Sequence, residues 1–149
     1  MSDTPIKMRV RETVILRVVG KAFVPFILIF ALYVQFHGDY GPGGGFQAGV
    51  IFAAGLILHA LTFGLDELRR AIPPIVVEVG IALGALLYGG VGVVSMLKGG
   101  EFLHYGVLDH HDEVHGQHLG ILLVELGVGI TVTFVMVAIF YMFAGRSRQ

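Results

Sequence analysis

The sequence predicts an all-α membrane protein with four transmembrane helices and with both the N-terminus and the C-terminus in the cytoplasm. Three observations lead to this prediction. The chain has 149 residues, of which 55% are hydrophobic and only 14% charged, and its mean hydropathy is +0.80. Soluble domains are about 45–50% apolar and about 25% charged. Four apolar stretches are long enough to span a bilayer, and the basic residues gather on one side of the resulting topology.

The four predicted helices cover residues 14–36, 46–65, 75–97 and 118–144. Each contains the run of about 20 mostly apolar residues that a helix needs to cross the hydrocarbon core of a bilayer. The first is longer than the h-region of a signal peptide and no A-x-A cleavage site follows it, so we interpret it as a retained helix. Because the connections are short, residues 1–149 are predicted to form a single four-helix membrane domain.

The distribution of lysine and arginine gives the orientation, because these residues are enriched in cytoplasmic segments. Nine of the ten lie near the N-terminus, between the second and third helices, or at the C-terminus, which four crossings place on one side. Only Lys98 lies on the other side. The net charge of -1 gives no indication of nucleic-acid binding. The absence of cysteine excludes disulfides, iron–sulfur clusters and thiolate metal sites, and we expect no cofactor.

Two ionisable residues lie deep in the predicted helices and are candidates for an ion path or a subunit interface. Glu125 lies about 9 Å into the fourth helix, where a carboxylate must pair, take a cation or stay protonated. His59 lies about 20 Å from the outer end of the second helix, where it could relay protons. The alternative for both is a neutral side chain that hydrogen-bonds to a neighbouring helix.

Glu78 and Lys21 are candidates of the same kind, but each has a simpler interpretation. Glu78 follows Arg69 and Arg70 on the cytoplasmic side, which favours an ion pair at the membrane interface. Lys21 lies in the first helix, and its long side chain is expected to extend to the same interface.

The connection between the first two helices contains Pro42, Gly43, Gly44, Gly45 and Phe46. A proline followed by three glycines breaks a helix and gives the backbone unusual freedom. The favoured interpretation is a tight external turn with Phe46 as an interfacial anchor. The alternative is a backbone hinge that packs against a partner.

Residues 98–118 form the longest connection and are rich in histidine. His111 and His115 are spaced i, i+4, and His115 and His118 are spaced i, i+3, so either pair could bind zinc or another transition metal from one helix face. The spacing matches no defined metal motif, and a solvated external loop is the favoured interpretation. Glycine-rich faces such as Gly80-xxx-Gly84 and Gly116-xxx-Gly120 indicate close helix packing, either within the chain or with helices of other chains.

The segment from Leu32 to Leu58, centred on Gly38 to Gly49 with its Pro-Gly-Gly-Gly-Phe turn, resembles the B subunit of the multi-subunit sodium/proton antiporters of the Mrp, Mnh or Sha type. Glu125-Leu-Gly-Val in the fourth helix is similar to an acidic-x-Gly-Val segment of that family. Length, helix number and topology agree as well. The resemblance implies that residues 42–46 are the functionally sensitive motif. The histidine-rich connection has no counterpart that we can place in the family.

The resemblance also implies a function. Members of this family are small subunits of a complex in the plasma membrane of bacteria and archaea that exports Na+ in exchange for H+. The expected partners are the A, C, D, E, F and G subunits and the lipid bilayer. The chain is then expected to be a transporter subunit rather than an enzyme, and to support Na+ efflux and pH homeostasis. A stand-alone homo-oligomeric transporter and a purely structural assembly subunit are the alternatives.

Overall fold

The computed structural model describes residues 14–38, 40–109 and 112–146, and the regular structure in these ranges is entirely helical. Helix α1 is Val14–His37, α2 is Gly45–Phe63, α3 is Leu65–Ala71, α4 is Pro74–Leu97 and α5 is Glu113–Arg146; a short 3₁₀ turn covers Tyr105–Leu108. Helices α1, α2, α4 and α5 are long and apolar enough to cross a membrane. The predicted all-α class and the predicted number of spans are confirmed.

Helix α5 begins at Glu113, well before the predicted start at residue 118. Asp112 explains the earlier start, because its Oδ1 accepts hydrogen bonds from the backbone N–H groups of Val114 (2.9 Å) and His115 (3.4 Å). An aspartate in this position caps the exposed N–H groups of a first helical turn. His115 and His118 therefore lie in the first turns of α5, and the prediction that they belong to a solvated loop was wrong.

The connection between α2 and α4 was predicted as a loop, and this prediction was also wrong, because it contains α3. Gly64 ends α2 at φ 110°, a conformation that favours glycine, and α3 starts at the next residue. Leu65 and Leu68 are buried in the core. The first turn of α3 is acidic and its last turn is basic, which matches the helix dipole.

The four long helices pack in the order α1, α2, α5, α4, so that α2 and α5 occupy the middle. Glycines allow the close approach: Gly84 of α4 lies against the backbone of α5 at Gly127, and Gly49 of α2 lies against Gly129. The predicted glycine faces thus pack within the chain. Gly89 and Gly90 of α4 differ, since an added methyl group would meet no described atom within 4 Å.

The apolar core lies toward the end of the molecule that carries α3. It consists of Ala53, Leu56, Ala60, Leu65, Leu68, Val77, Val137 and Tyr141. The Tyr141 hydroxyl donates a hydrogen bond to the Ile72 carbonyl (2.8 Å) and so fastens the end of α5 to the α3–α4 connection. The polar residues that form the candidate site lie at the opposite end.

Candidate functional site

The site begins at the turn between α1 and α2. The backbone N–H groups of Tyr40 and Gly41 donate to the His37 carbonyl (3.0 and 3.1 Å), and Gly44 N–H donates to the Val34 carbonyl (3.2 Å). Gly44 has φ 119° and ψ 175°, a region that is essentially restricted to glycine. These bonds make the predicted tight turn a defined connection that places the start of α2 beside α5.

Glu125 of α5 packs directly on this turn. A methyl group added at Gly45 would overlap the Glu125 backbone carbonyl. One added at Gly38 would lie 2.6 and 2.7 Å from the two carboxylate oxygens, and one at Gly44 would lie 3.0 Å from Oε1. The glycines therefore form the surface on which Glu125 rests. The structure brings together two features, the glycine turn and the acidic residue, that the sequence indicated only separately.

The surroundings of Glu125 favour negative charge. The residue is half-buried and lies level with the first residue of α2, about 18 Å along α5 from Glu113. The N-terminus of a helix carries a partial positive charge, which stabilises a nearby carboxylate. Pro42 and Phe46 are exposed at the same end of the molecule. The role of Phe46 as an interfacial anchor stays a prediction.

A cleft of about 310 Å³ opens beside Glu125. It is lined by Gln35, Phe36, Tyr40, His115, His118, Leu119, Leu122 and Glu125. Gln35 is only 5% exposed, and its Nε2 has no hydrogen-bond partner among the described residues. Gln35 was not among the candidates predicted from the sequence. The available signal was a lone amide near the end of an otherwise apolar helix.

The polar interior continues from the cleft only as far as Thr133. Its hydroxyl lies 2.7 Å from the Gly129 carbonyl and 3.2 Å from the Gly49 carbonyl. Farther along α5, the buried side chains of Ala53, Leu56 and Val137 fill the interior. Within the described residues, the polar site therefore opens toward one end of the molecule, and an apolar core closes it toward the other.

His59 lies in a different place and does not join Glu125. It is 14 residues beyond Gly45 on α2, or about 21 Å along the helix axis. Its ring centroid lies 4.8 Å from that of Phe63. With Arg17 and Glu67 these two residues line a second cleft of about 380 Å³ at the opposite end of the bundle.

Glu78 and Lys21 are both exposed. Among the described residues, Glu78 forms no ion pair with Arg69 or Arg70, so this predicted pair was wrong. Arg70 pairs instead with Glu67 (2.9 Å), one turn away on α3. The Arg69 guanidinium lies 5.5 Å from the centre of the Tyr141 ring. The partner of Arg70 thus lies within α3, and that of Arg69 lies on α5.

Of the three histidines considered as metal ligands, His111 lies outside the described residues. His115 Nδ1 lies 2.8 Å from Asp109 Oδ2. His115 and His118, one turn apart on α5, both line the cleft beside Glu125. In the part of the chain that the structure describes, no three His, Cys, Asp or Glu side chains are grouped to hold a metal ion.

Comparisons with known proteins show the family to which the chain belongs. Residues 15–138 match a family model described as a domain related to the MnhB subunit of Na+/H+ antiporter. A Staphylococcus haemolyticus protein named "Putative antiporter subunit mnhB2" is 35% identical over 134 residues, or 89% of this chain and 94% of that protein. A protein of the same name from Staphylococcus aureus strain Newman is 34% identical over the same lengths. The matched region includes the glycine turn and Glu125.

Proposed function

We propose that this chain, which belongs to the family of the MnhB subunit of Na+/H+ antiporters, is a membrane subunit of a multi-subunit Na+/H+ antiporter. The observation that carries the proposal is the family match over residues 15–138, which includes all of α2 and α4 and most of α1 and α5. The four apolar helices support a multi-pass membrane protein. The chain acts as a transporter component and not as an enzyme.

The finer assignments are part of the same proposal. The partners are the A, C, D, E, F and G subunits, the transported ions are Na+ and H+, and the location is the plasma membrane of a prokaryote. The topology has both termini in the cytoplasm, so the glycine turn and Glu125 face the outer side. Bacterial relatives and the one-sided distribution of lysine and arginine support this arrangement.

We assign Glu125 and the turn at residues 42–46 to a polar site at a subunit interface. The Thr133 hydroxyl is bonded to backbone carbonyls, and an apolar core follows it along α5. We therefore expect an ion that reaches Glu125 to continue through neighbouring subunits. This arrangement favours a subunit over a stand-alone transporter.

Mild-detergent purification of the tagged chain from native membranes tests the assignment. We expect a stable set of membrane proteins to co-purify, including two large multi-helix proteins. Recovery of the chain alone, as a monomer or homodimer, would contradict the proposal. The lone chain should show no Na+-dependent proton exchange in liposomes, whereas the stand-alone alternative requires that activity.

The role of Glu125 is tested by Glu125→Gln in the assembled complex. We expect Na+-dependent proton exchange to fall by about 100-fold or more, as for the loss of a positioned proton-transfer group, while the subunits still co-purify. The matched control is Glu101→Gln, because Glu101 is exposed in the connection between α4 and α5. Normal exchange and normal assembly in Glu125→Gln would contradict the role, and loss of assembly alone would favour the purely structural alternative.

A further inference from the structure

The cleft beside Glu125 carries a row of proton-accepting groups that the family assignment does not explain. His115, His118 and Glu125 share one face of α5, because His118 follows His115 by three residues and Glu125 follows His118 by seven. All three line the same cleft, with Gln35 of α1 on its wall. Asp109 extends the row outward through its contact with His115 (2.8 Å).

Gln35 closes the inner end of the cleft. It is 95% buried, and its Nε2 atom has no acceptor among the described residues and is almost inaccessible to solvent. The cleft itself has room for several water molecules. Water can therefore fill the cleft as far as Gln35.

The groups that face the cleft favour protons over sodium ions. Histidine accepts and releases protons readily, and a protonated histidine at the mouth repels Na+. Among the described residues that line the cleft, Tyr40 is the remaining titratable side chain, and α1 contributes the uncharged Gln35 and Phe36. Of the described charged residues near the cleft, Lys98 donates to the Leu108 carbonyl (2.6 Å) and Glu113 packs near Gly106.

We propose that this cleft is a water-filled proton-access path from the outer side of the membrane to Glu125, with His115 and His118 as relay groups and Gln35 closing its inner end. A hydronium ion in the outer water transfers a proton to an imidazole nitrogen of His118: its O–H bond breaks, the N–H bond forms and water remains. The imidazolium then releases a proton to a cleft water, and the resulting hydronium ion gives its proton to the Glu125 carboxylate, which becomes a neutral carboxylic acid. This inference rests on the proposed antiporter function and on the proposed topology.

Cysteine accessibility tests whether the cleft contains water. The chain has no native cysteine, so Gln35→Cys introduces a unique thiol. We expect a membrane-impermeant thiol reagent to modify Gln35→Cys from the outer side. The matched control is Ser95→Cys, because Ser95 is fully buried near the corresponding end of α4 and does not line the cleft. Equal protection of both thiols would overturn the proposal.

The double variant His115→Gln/His118→Gln tests whether the path carries protons. In the purified complex in liposomes, with inner pH held constant, we expect exchange to fall about 10- to 100-fold and its dependence on outer pH to flatten. The control is His104→Gln, an exposed histidine of the same connection that does not line the cleft. A double variant with wild-type rate and wild-type dependence on outer pH would overturn the relay.

The two tests separate this inference from the proposed function. If the chain fails to co-purify with other subunits, the antiporter assignment fails, but cysteine accessibility in the purified chain still reports on the cleft. If the complex assembles and exchanges ions while the double variant His115→Gln/His118→Gln behaves like wild type, the antiporter assignment stands and the proton path is wrong.

Discussion

At the scale of single residues, the site depends on two backbones that approach without intervening side chains. Gly45 lies against the carbonyl of Glu125, and Gly44 adopts φ 119° one residue earlier. A side chain at Gly45 would meet backbone atoms, which cannot rotate away. The same contact holds the Glu125 carboxylate beside the N-terminus of α2. Gly44 and Gly45 therefore determine both the packing around Glu125 and the position of its carboxylate beside the N-terminus of α2.

Gly45→Ala is expected to destabilise the chain by about 1–3 kcal/mol, the usual effect of overpacking a tight contact. Thermal unfolding of the purified chain in detergent measures the change. The matched control is Gly90→Ala, because a methyl group there meets no described atom within 4 Å. That control should be unchanged or up to about 1 kcal/mol more stable, since alanine is the better helix former. Equal effects of the two substitutions would contradict the close approach.

Tyr141→Phe is expected to lower stability by about 1–3 kcal/mol, because it leaves the Ile72 carbonyl without the Tyr141 hydroxyl as its donor. The same unfolding experiment applies. Tyr33→Phe serves as the control, since Tyr33 is 58% exposed on α1 and packs against Phe30 and His37. A loss in the control as large as in Tyr141→Phe would show that the hydrogen bond is not the cause.

At the scale of secondary-structure elements, α5 organises the end of the molecule that carries the glycine turn. Its 34 residues extend about 51 Å, whereas the hydrocarbon core of a bilayer is about 30 Å thick. The first turns of α5 therefore project beyond the level of the α1–α2 turn. The 3₁₀ turn packs against this projection, with the Tyr105 ring directly over Gly120.

Docking of the 3₁₀ turn is expected to depend on pH through Tyr105. Burial raises the pKa of the Tyr105 hydroxyl above its usual value of 10.0, and Tyr88 raises it further. A raised pKa means that the folded state favours the neutral form, so this contribution is complete below about pH 10 and is lost as the pH rises through the folded-state pKa.

A spin label on Glu101→Cys, in the connection before the 3₁₀ turn, measures this detachment. Its mobility should rise above pH 10 in the otherwise native chain. With Tyr105→Phe added, the mobility should no longer depend on pH in this range. A rise of the same size in both proteins would contradict the role of Tyr105.

The sequence was sufficient to predict the long helices because each is an apolar run whose length matches a bilayer. It was not sufficient for α3 and for the start of α5, although the signals were local: Gly64 before an acidic-to-basic heptamer, and Asp112 as a cap. Both were missed because they are polar and the prediction located helices by hydrophobic content alone.

At the scale of the whole molecule, the order α1, α2, α5, α4 could not be predicted from hydropathy, because lipid solvates every apolar face equally and small residues decide which helices meet. The meeting of the glycine turn with Glu125 joins positions about 80 residues apart and depends on that order. The buried Gln35 became significant only when α1 was placed beside the cleft.

The row of helices separates two polar regions. Glu125 and Gln35 line the cleft at one end, and Arg17, His59 and Glu67 line the second cleft at the other. The apolar cluster around Val137 lies farther along α5 from Glu125. Because the chain belongs to the family of an antiporter subunit, we expect the antiporter to depend on it.

The most direct test removes only this chain from its native cells and measures Na+-dependent proton exchange in membrane vesicles. We predict that exchange is lost, that the intact chain supplied in trans restores it, and that Glu125→Gln reaches the membrane and assembles without restoring it. Exchange that continues at the normal rate without the chain would contradict the account.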